Sequence, residues 1–366
     1  MIFEKMSRTT RAERLTSNTA DMDAVVIVNG QNQFLDTTYW YLTELFSGTF
    51  EGGIAVVRDG ELNTIVSPLE AEGASLGKGT CHVYDNREHR NGILKELLDG
   101  CKNVGFNIGS ATYAGVEYVR KTADITPVDA TKGIEQTVAV KDEKEIEVMR
   151  KACKITSTVA GEIPEILKKG MTEKEAASEI DRRMRAYGGE GNAFETIAAF
   201  GPNSSMPHHS PTDRKLEPGD TALFDFGSKY SMYCSDLTRT VFFGEPPEVL
   251  KRAYEVVREA QEEGFLCYKD GASAADADIR AREIIDAGEF RGKMIHTFGH
   301  GLGMNIHEAI SVYSKSEQIL HEGNVVSAEP GIYLPGIGGI RIEDTCLVKK
   351  NGAERLTSFD KSMIIV

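Results

Sequence analysis

The chain has 366 residues, which is long for one domain and suits two domains that each bury a core. Its hydrophobic content of 40% and charged content of 27% are ordinary for a soluble globular protein. The net charge of −14, without any run of Lys or Arg, argues against a nucleic-acid partner. No apolar run is long enough to cross a bilayer, so we also expect no membrane partner.

The cysteines indicate the compartment. Six are scattered along the chain with no CxxC motif or tight pair, which is typical of a reducing environment. The first residues lack the apolar core of a secretory signal. We therefore expect a cytoplasmic protein.

Residues 1–135 alternate strand-like and helix-like segments and predict a small α/β domain. The predicted strands cover residues 24–28, 53–57 and 103–108, and the predicted helices cover 92–98 and 114–121. Neither GxGxxG nor GxxxxGK occurs, so no nucleotide site is expected. The cluster Tyr39-Trp40-Tyr41 is interpreted as ordinary packing, with a recognition surface as the alternative.

From Lys141 onward the pattern changes to long amphipathic helices followed by apolar strands. Thr172-Glu-Lys-Glu175 fits a capping box and predicts the start of a helix that stops at Gly188-Gly189. Gly170-Met-Thr is echoed later by Gly271-Ala-Ser, each ahead of a helical stretch. Two related halves around a shared centre, or chance similarity between helices, would explain the echo.

Two strands rich in β-branched and aromatic residues, 221–226 and 233–243, flank a short polar turn and predict a hairpin. Asp225 and Asp236 are equidistant from the expected turn centre, between Tyr230 and Ser231, which predicts a directly opposed cross-strand pair. Opposed carboxylates among apolar neighbours need a shared proton or a cation. A solvated hairpin with two incidental acids is the alternative.

Further candidate ligands lie downstream. Of eight histidines, five fall within one stretch of about 100 residues: His208, His209, His296, His300 and His307. Glu329 ends an apolar run, and Arg341 and Glu343 alternate with isoleucines, so both are expected on one face of a strand. Acids within such apolar strands are seldom unpartnered.

Two Asp, two Glu and one His form an oxygen-rich donor set with a single imidazole. This composition suits Mn²⁺, Co²⁺, Fe²⁺ or Zn²⁺, and affinity order alone does not choose among them. Four carboxylates would offset the charge of two divalent cations. Two ions about 3.5–4 Å apart are a recurrent device for activating a water and stabilising an oxyanion.

These motifs together resemble a known family. They are Pro202-Asn-Ser-Ser-Met-Pro-His208, Pro211-Thr-Asp-Arg, Ser235-Asp-Leu-Thr-Arg-Thr240, Gly299-His-Gly-Leu-Gly-Met-Asn-Ile-His-Glu308, Glu329-Pro-Gly-Ile-Tyr333 and Gly339-Ile-Arg-Ile-Glu-Asp344. From about Lys141 to the end, the chain resembles the pita-bread metallopeptidases, in the branch of Xaa-Pro dipeptidases (prolidases) and aminopeptidase P. The N-terminal α/β domain resembles the one that this branch carries.

The resemblance implies a fold and a set of ligands. It implies a small α/β domain over residues 1–135 and a catalytic pita-bread domain over 136–366, with pseudo-twofold βαβ halves around a curved antiparallel sheet. Asp225 would bind one ion, His300 and Glu329 the other, and Asp236 and Glu343 both. Manganese or cobalt is expected first, with zinc or iron as alternatives.

The resemblance also implies the catalytic groups. His208 and His307 match histidines that hydrogen-bond substrate and stabilise the tetrahedral intermediate, and His296 matches a pocket histidine. Arg341 matches an arginine that supports the ligands, Glu329 would pass a proton to the leaving nitrogen, and His209 is interpreted only as a neighbour.

The implied reaction is hydrolysis of the Xaa-Pro bond by a metal-bridging hydroxide, in dipeptides with proline in second position. Aminopeptidase P activity on longer peptides, a non-catalytic binding protein and a creatinase-like amidinohydrolase are the alternatives. Where many relatives have proline two residues after the His-Glu step, this chain has Glu308-Ala309-Ile310, which leaves the substrate detail open. Relatives are commonly homodimers, and Tyr39-Trp40-Tyr41 could reach a neighbour's pocket.

Overall fold

A computed structural model describes residues 9–31 and 33–366. The chain divides into two compact units, the first ending at Val138 and the second spanning Ala139–Val366. Within the described residues, no helix is both long and apolar enough to cross a membrane.

The first unit is built on a six-stranded sheet in the order β4-β3-β2-β1-β5-β6. Strands β1 to β3 pair antiparallel, and the outer pairs β3–β4, β1–β5 and β5–β6 are parallel. The strands are β1 Ala24–Val28, β2 Ile54–Arg58, β3 Glu61–Val66, β4 Thr80–Val83, β5 Asn103–Phe106 and β6 Thr126–Asp129. The helices are α1 Arg11–Asn18, α2 Thr37–Thr43, α3 Ala71–Ala74, α4 Arg87–Leu97, α5 Tyr113–Ala123 and α6 Thr131–Ala139.

The aromatic cluster of this unit lies in its core. Helix α2 begins after Asp36, whose carboxylate accepts a hydrogen bond from the Thr38 backbone N–H. Its residues Tyr39, Trp40 and Tyr41 are at most 2% exposed, and the first two pack on Phe50. The packing interpretation is therefore confirmed, whereas a recognition surface that reaches a neighbour's pocket is wrong, because rings this buried offer no free face.

The second unit carries the long helices and the remaining strands. Its helices are α7 Glu143–Gly161, α8 Ile163–Ile166, α9 Glu173–Ala186, α10 Glu248–Phe265 and α11 Ala275–Asp286, with a 3₁₀ turn at Gly201–Ser205. Its strands are β7 Gly191–Asn192, β8 Ile197–Phe200, β9 Asp220–Phe226, β10 Ser228–Tyr230, β11 Tyr233–Cys234, β12 Leu237–Phe243, β13 Gly299–Gly301, β14 Glu308–Val312, β15 Val325–Ala328, β16 Gly331–Leu334, β17 Gly338–Arg341, β18 Asp344–Lys349 and β19 Gly352–Arg355.

Antiparallel pairing organises these strands. The two larger sheets have the orders β8-β9-β12 and β14-β13-β15-β18-β19. A three-stranded sheet β7-β10-β11 and the hairpin β16–β17 complete the unit. Every pair of named strands in this unit, as the structure describes it, is antiparallel, as the pita-bread resemblance implies.

The two halves of the second unit repeat one arrangement. Gly170 and Gly271 both adopt φ of +78°, and each donates its N–H to a leucine carbonyl, of Leu216 and Leu320 respectively. A helix follows each glycine, and each helix pair packs its own apolar core against its own sheet. The expected capping box is confirmed, because the Thr172 hydroxyl accepts from the Glu175 N–H and the Glu175 carboxylate accepts from the Thr172 N–H.

The hairpin exists, but its predicted register is wrong. Asp225 lies opposite Thr238, and Leu237 lies opposite Phe226, so Asp236 is a diagonal neighbour of Asp225. The turn residues are Ser231 and Met232, both with positive φ, which moves the turn centre one residue along the chain. A two-residue turn with two positive φ values usually contains Gly or Asn, so its position was not marked in the sequence.

Candidate metal centre

Five side chains from the strands of the second unit converge on one centre. Asp225 lies on β9 and Asp236 directly before β12, while His300 comes from β13 and Glu329 and Glu343 flank β15 and β18. Single donor atoms of Asp236, His300 and Glu343 lie within 4.8 Å of one another. The Nε2 atom of His300 is 3.3 Å from Glu329 Oε1 and 3.6 Å from Asp236 Oδ2.

The negative charge of the carboxylates at this centre is not balanced by hydrogen-bond donors and cations of the described residues. Oxygen atoms of Asp225, Asp236 and Glu343 are buried without a hydrogen-bond partner in the described part of the chain. Burial, reinforced by the neighbouring carboxylates, raises the pKa of Asp236 and of Glu343 well above the ordinary value. Burial also raises the pKa of Glu329. Unpartnered oxygens that face one another are the environment that a cation stabilises.

The protonation of His300 suits a ligand. Its Nδ1 lies 3.1 Å from the carbonyl oxygen of Gly301, and because a carbonyl only accepts, Nδ1 carries the proton. Burial lowers the pKa of His300, which favours the neutral ring. The lone pair of Nε2 therefore points at Asp236 and Glu329, as in metal-binding histidines whose other nitrogen is held by a backbone carbonyl.

Arg341 connects three parts of the site. Its guanidinium forms a buried ion pair with Asp225, and its Nη1 donates to Tyr333 Oη at 2.8 Å. Its Nε donates to Thr238 Oγ1 at 3.1 Å, and that hydroxyl donates to Glu343 Oε2 at 2.7 Å. The expected single strand face for Arg341 and Glu343 is only partly right, because β17 ends at Arg341 and β18 begins after Glu343.

His296 is engaged at both ring nitrogens. Nδ1 lies 2.8 Å from the Thr297 carbonyl and Nε2 lies 2.8 Å from Tyr333 Oη. Since the carbonyl fixes the proton on Nδ1, the Tyr333 hydroxyl donates to Nε2. Burial lowers the pKa of His296. His296 thereby orients Tyr333 and, through it, Arg341.

The two other candidate catalytic histidines, His208 and His307, have exposed side chains. The ring of His307 packs edge-on against that of His300, with centroids 4.3 Å apart. Partial burial, with His300 and His208 close by, lowers the pKa of His307. His209 points away, since its Nε2 lies 2.8 Å from Glu173 Oε2 within the protein. Its interpretation as a neighbour agrees with that placement.

Sequence reasoning did not single out three hydroxyl-bearing residues at the site. Thr238 links Arg341 to Glu343, and Tyr333 links Arg341 to His296. Ser327 Oγ accepts from the His300 N–H and donates to Glu329 Oε1 at 3.1 Å. Residues two positions apart in a strand point to the same face. Thr238 follows Asp236 by two positions and Ser327 precedes Glu329 by two, so this spacing could have indicated both hydroxyls.

Close approach of two backbones holds His300 in place. A Cβ on Gly299 would lie 2.2 Å from the Ser327 carbonyl oxygen. We expect Gly299→Ala to lower the free energy of unfolding by about 1–3 kcal/mol, because β13 must move away from β15. Metal affinity should fall with it. Gly288→Ala, where a Cβ meets nothing within 4 Å, is the control and should change neither quantity. Urea unfolding and metal titration measure both; equal behaviour of the two variants contradicts the prediction.

A family model matches the residues that form this centre. Residues 147–350 match the model for metallopeptidase family M24. The chain is 33% identical to an Xaa-Pro dipeptidase of Pyrococcus horikoshii, over 94% of this chain and 95% of the relative. It is 34% identical to an Xaa-Pro dipeptidase of Pyrococcus furiosus, over 87% of this chain and 91% of the relative.

Solved structures of Xaa-Pro peptidases have the same fold as this chain. An Xaa-Pro dipeptidase from Bacillus anthracis superposes with a TM-score of 0.90 at 30% identity, covering 97% of this chain and 99% of that one. An X-Pro aminopeptidase from Thermotoga maritima superposes with a TM-score of 0.89 at 31% identity, covering 97% and 100%. The chain adopts the fold of these enzymes, and its carboxylate-rich centre suits the divalent metal ions of a metallopeptidase. It belongs to metallopeptidase family M24.

Proposed function

We propose that this protein hydrolyses the Xaa-Pro bond of dipeptides with two divalent metal ions, manganese or cobalt before zinc or iron. The observation that carries the proposal is the buried cluster of Asp225, Asp236 and Glu343, each with one oxygen that lacks a partner in the described residues, beside the unprotonated Nε2 of His300. Xaa-Pro dipeptidases at 33% and 34% identity over most of the chain support the substrate class.

The ligands divide by their surroundings. Asp225 is held by Arg341 on one oxygen, which leaves one oxygen for a single ion. His300 and Glu329 lie 3.3 Å apart and would serve the second ion. Asp236 and Glu343, which have donor atoms within 4.8 Å of each other and of His300, would bind both ions.

When bound, two divalent cations acidify a water and stabilise negative charge on the substrate carbonyl oxygen. Glu329 would carry a proton to the leaving nitrogen, since its carboxylate lies at the proposed centre, 3.3 Å from His300 Nε2. His208 and His307 present exposed rings that can donate to the carbonyl oxygen. Arg341 orients Asp225 through their ion pair, and His296 holds Tyr333 against Arg341.

The proline in the substrate explains the need for a dedicated site. The bond before proline has no N–H, and the ring restricts the residue that precedes it. The site must therefore bind the carbonyl of this restricted substrate and protonate the proline nitrogen as it leaves.

The main alternative is removal of an N-terminal residue from longer Xaa-Pro peptides, favoured by the likeness to the X-Pro aminopeptidase of Thermotoga maritima. With manganese loaded, we expect kcat/KM for Met-Pro to exceed that for Met-Pro-Pro by at least about 100-fold, since a free proline carboxylate should be required. Chromatographic detection of released methionine measures both reactions. Equal rates on the two peptides would identify an aminopeptidase instead.

A non-catalytic binding protein is the second alternative. Its expected mark is a lost ligand, whereas Asp225, Asp236, His300, Glu329 and Glu343 are all in place. We further propose that residues 136–366, which include the compact unit Ala139–Val366, form the catalytic domain and that the protein is a cytoplasmic homodimer. The unpaired state of the six cysteines supports that compartment.

A further inference from the structure

One buried carboxylate outside the metal centre gathers an unusual number of donors. Glu173, the first residue of α9, is 0% exposed. In the described residues its Oε1 accepts from the Phe200 N–H at 2.8 Å and the Asn203 side-chain amide at 3.0 Å. Its Oε2 accepts from the Thr212 N–H at 2.9 Å, the Thr212 hydroxyl at 2.6 Å and His209 Nε2 at 2.8 Å.

These donors lie in or directly beside one loop, residues 201–211, which follows the last residue of β8 in the connection to β9. Phe200 lies at its beginning and Thr212 at its end, so a single carboxylate joins both ends and also holds His209 between them. His208, the residue before His209, has an exposed side chain. Because Glu173 holds both ends of the loop and His209, it also constrains the position of the neighbouring His208 ring.

The opposite side of the loop contacts the metal centre. The carbonyl oxygen of Pro207 accepts from Arg341 Nη1 at 3.3 Å, and Ser204 Oγ accepts from the Gly339 N–H at 2.8 Å. A Cβ on Gly339 would meet the Ser204 carbonyl oxygen at 2.1 Å, so the loop lies directly on β17. The loop is thus held between Glu173 and the strand that carries Arg341.

Helix capping does not account for this arrangement. An acid in the first turn of a helix is favourable even when it is exposed, as Glu175 is. The cap of α9 is already made by Thr172 and Glu175. Burial by itself raises the pKa of Glu173, but hydrogen bonds from Thr212, His209, Phe200 and Asn203 outweigh it and lower the pKa, so the loop binds an ionised carboxylate.

We propose that Glu173 is a positioning residue for turnover, which holds the 201–211 loop so that His208 faces the substrate carbonyl. This inference rests on the proposed peptidase function. The two adjacent histidines have different roles. His209 anchors the loop through Glu173, and His208 hydrogen-bonds the substrate carbonyl. Glu173 contacts none of the five proposed metal ligands in the described structure, so its effect should appear in turnover and not in metal content.

The first test is a double-mutant cycle on the manganese-loaded protein. Glu173→Gln places an amide N–H against donors and should lower kcat for Met-Pro about 100-fold, with KM changed less than about threefold and metal content unchanged. In the His208→Ala background the same change should cost less than about threefold, because its effect passes through His208. An equal loss in both backgrounds, or a loss of metal, overturns the inference.

Asp213→Asn is the matched control. Asp213 lies at the same end of the loop, but it is exposed and pairs only with the exposed Lys174 in the described residues. Its activity should equal that of the original protein. If Glu173→Gln does not fold, Thr212→Val removes one hydroxyl donor while it keeps the backbone N–H, and the same cycle with His208→Ala applies.

The second test does not depend on peptidase activity. Hydrogen exchange followed by mass spectrometry should show residues 201–211 exchanging at least about tenfold faster in Glu173→Gln, with residues 221–243 unchanged. If the loop keeps its protection, Glu173 does not position it, whether or not the protein cleaves peptides. If exchange rises while the metal-loaded original protein cleaves no Xaa-Pro peptide, the proposed function fails and the structural inference stands.

Discussion

Asp236→Asn should abolish peptidase activity and yet stabilise the metal-free protein. Asp236 is proposed to bind both ions, so its loss should reduce kcat/KM by about 10³-fold or more, at least as much as loss of an oxyanion donor. Without metal, the same side chain is a buried acid beside Glu343, with Oδ1 unpartnered among the described residues. Removing its charge should raise the free energy of unfolding by about 1–3 kcal/mol.

The stabilising part of this prediction depends on pH, with a defined sign. Burial and the nearby carboxylates raise the pKa of Asp236 in the folded state above its unfolded value. Its favourable contribution is therefore complete below the unfolded pKa and is lost as pH rises through the folded pKa. The advantage of Asp236→Asn should be small near pH 4 and grow towards neutral pH.

Urea unfolding in the presence of a chelator, at several pH values, measures this advantage. Glu263→Gln, at a partly exposed acid that pairs with Arg280 and takes no part in the metal centre, is the control and should not stabilise the protein. A metal-free Asp236→Asn protein that is less stable than the original at neutral pH would mean that the buried carboxylates are compensated by the protein alone.

Arg239→Met should be the most damaging change to stability. Arg239 and Asp344 form an ion pair in which both side chains are 1% exposed. The guanidinium also donates to the Thr238 carbonyl at 2.9 Å and the Phe359 carbonyl at 2.8 Å. Removing one partner of a buried pair costs about 3–5 kcal/mol, because the other charge stays buried. The loss should also reach the metal centre, since Arg239 contacts the Glu343 carbonyl.

Arg252→Met is a matched control for this prediction. Arg252 pairs with Glu289 at the surface, with side chains 53% and 49% exposed, so its loss should cost less than about 1 kcal/mol. Both variants are compared by urea unfolding without metal, so that ion binding does not contribute to stability. A loss below about 1 kcal/mol for Arg239→Met would show that Gln261, Lys361 and Arg355 suffice to compensate Asp344.

The site was largely accessible from sequence because its residues are chemically conspicuous. Acids such as Asp225 and Glu343 stand out within apolar strands, and His300 stands out between glycines. Neutral hydroxyls have no such contrast. Although Thr238 and Tyr333 stand within the sequence motifs, their roles were defined by the contacts that they make with Arg341.

Two other features could not be read from local sequence. The hairpin register depends on positive φ at Ser231 and Met232, residues that do not favour that conformation. Glu173 and Glu175 look alike in the capping-box sequence, and only the tertiary structure buries Glu173 under the 201–211 loop. For Glu173 the deciding contacts come from residues 200–212, outside the capping-box pattern that predicted the helix.

Metal stoichiometry, measured together with activity, tests the two-ion centre most directly. The protein is stripped with a chelator and titrated with manganese, while bound metal is determined by mass spectrometry and proline release from Met-Pro is followed at each step. We predict two ions per chain at saturation, no activity without metal, and full activity only when both are bound. Full activity in the stripped protein, or full activity with no more than one ion bound per chain, would contradict the two-metal centre.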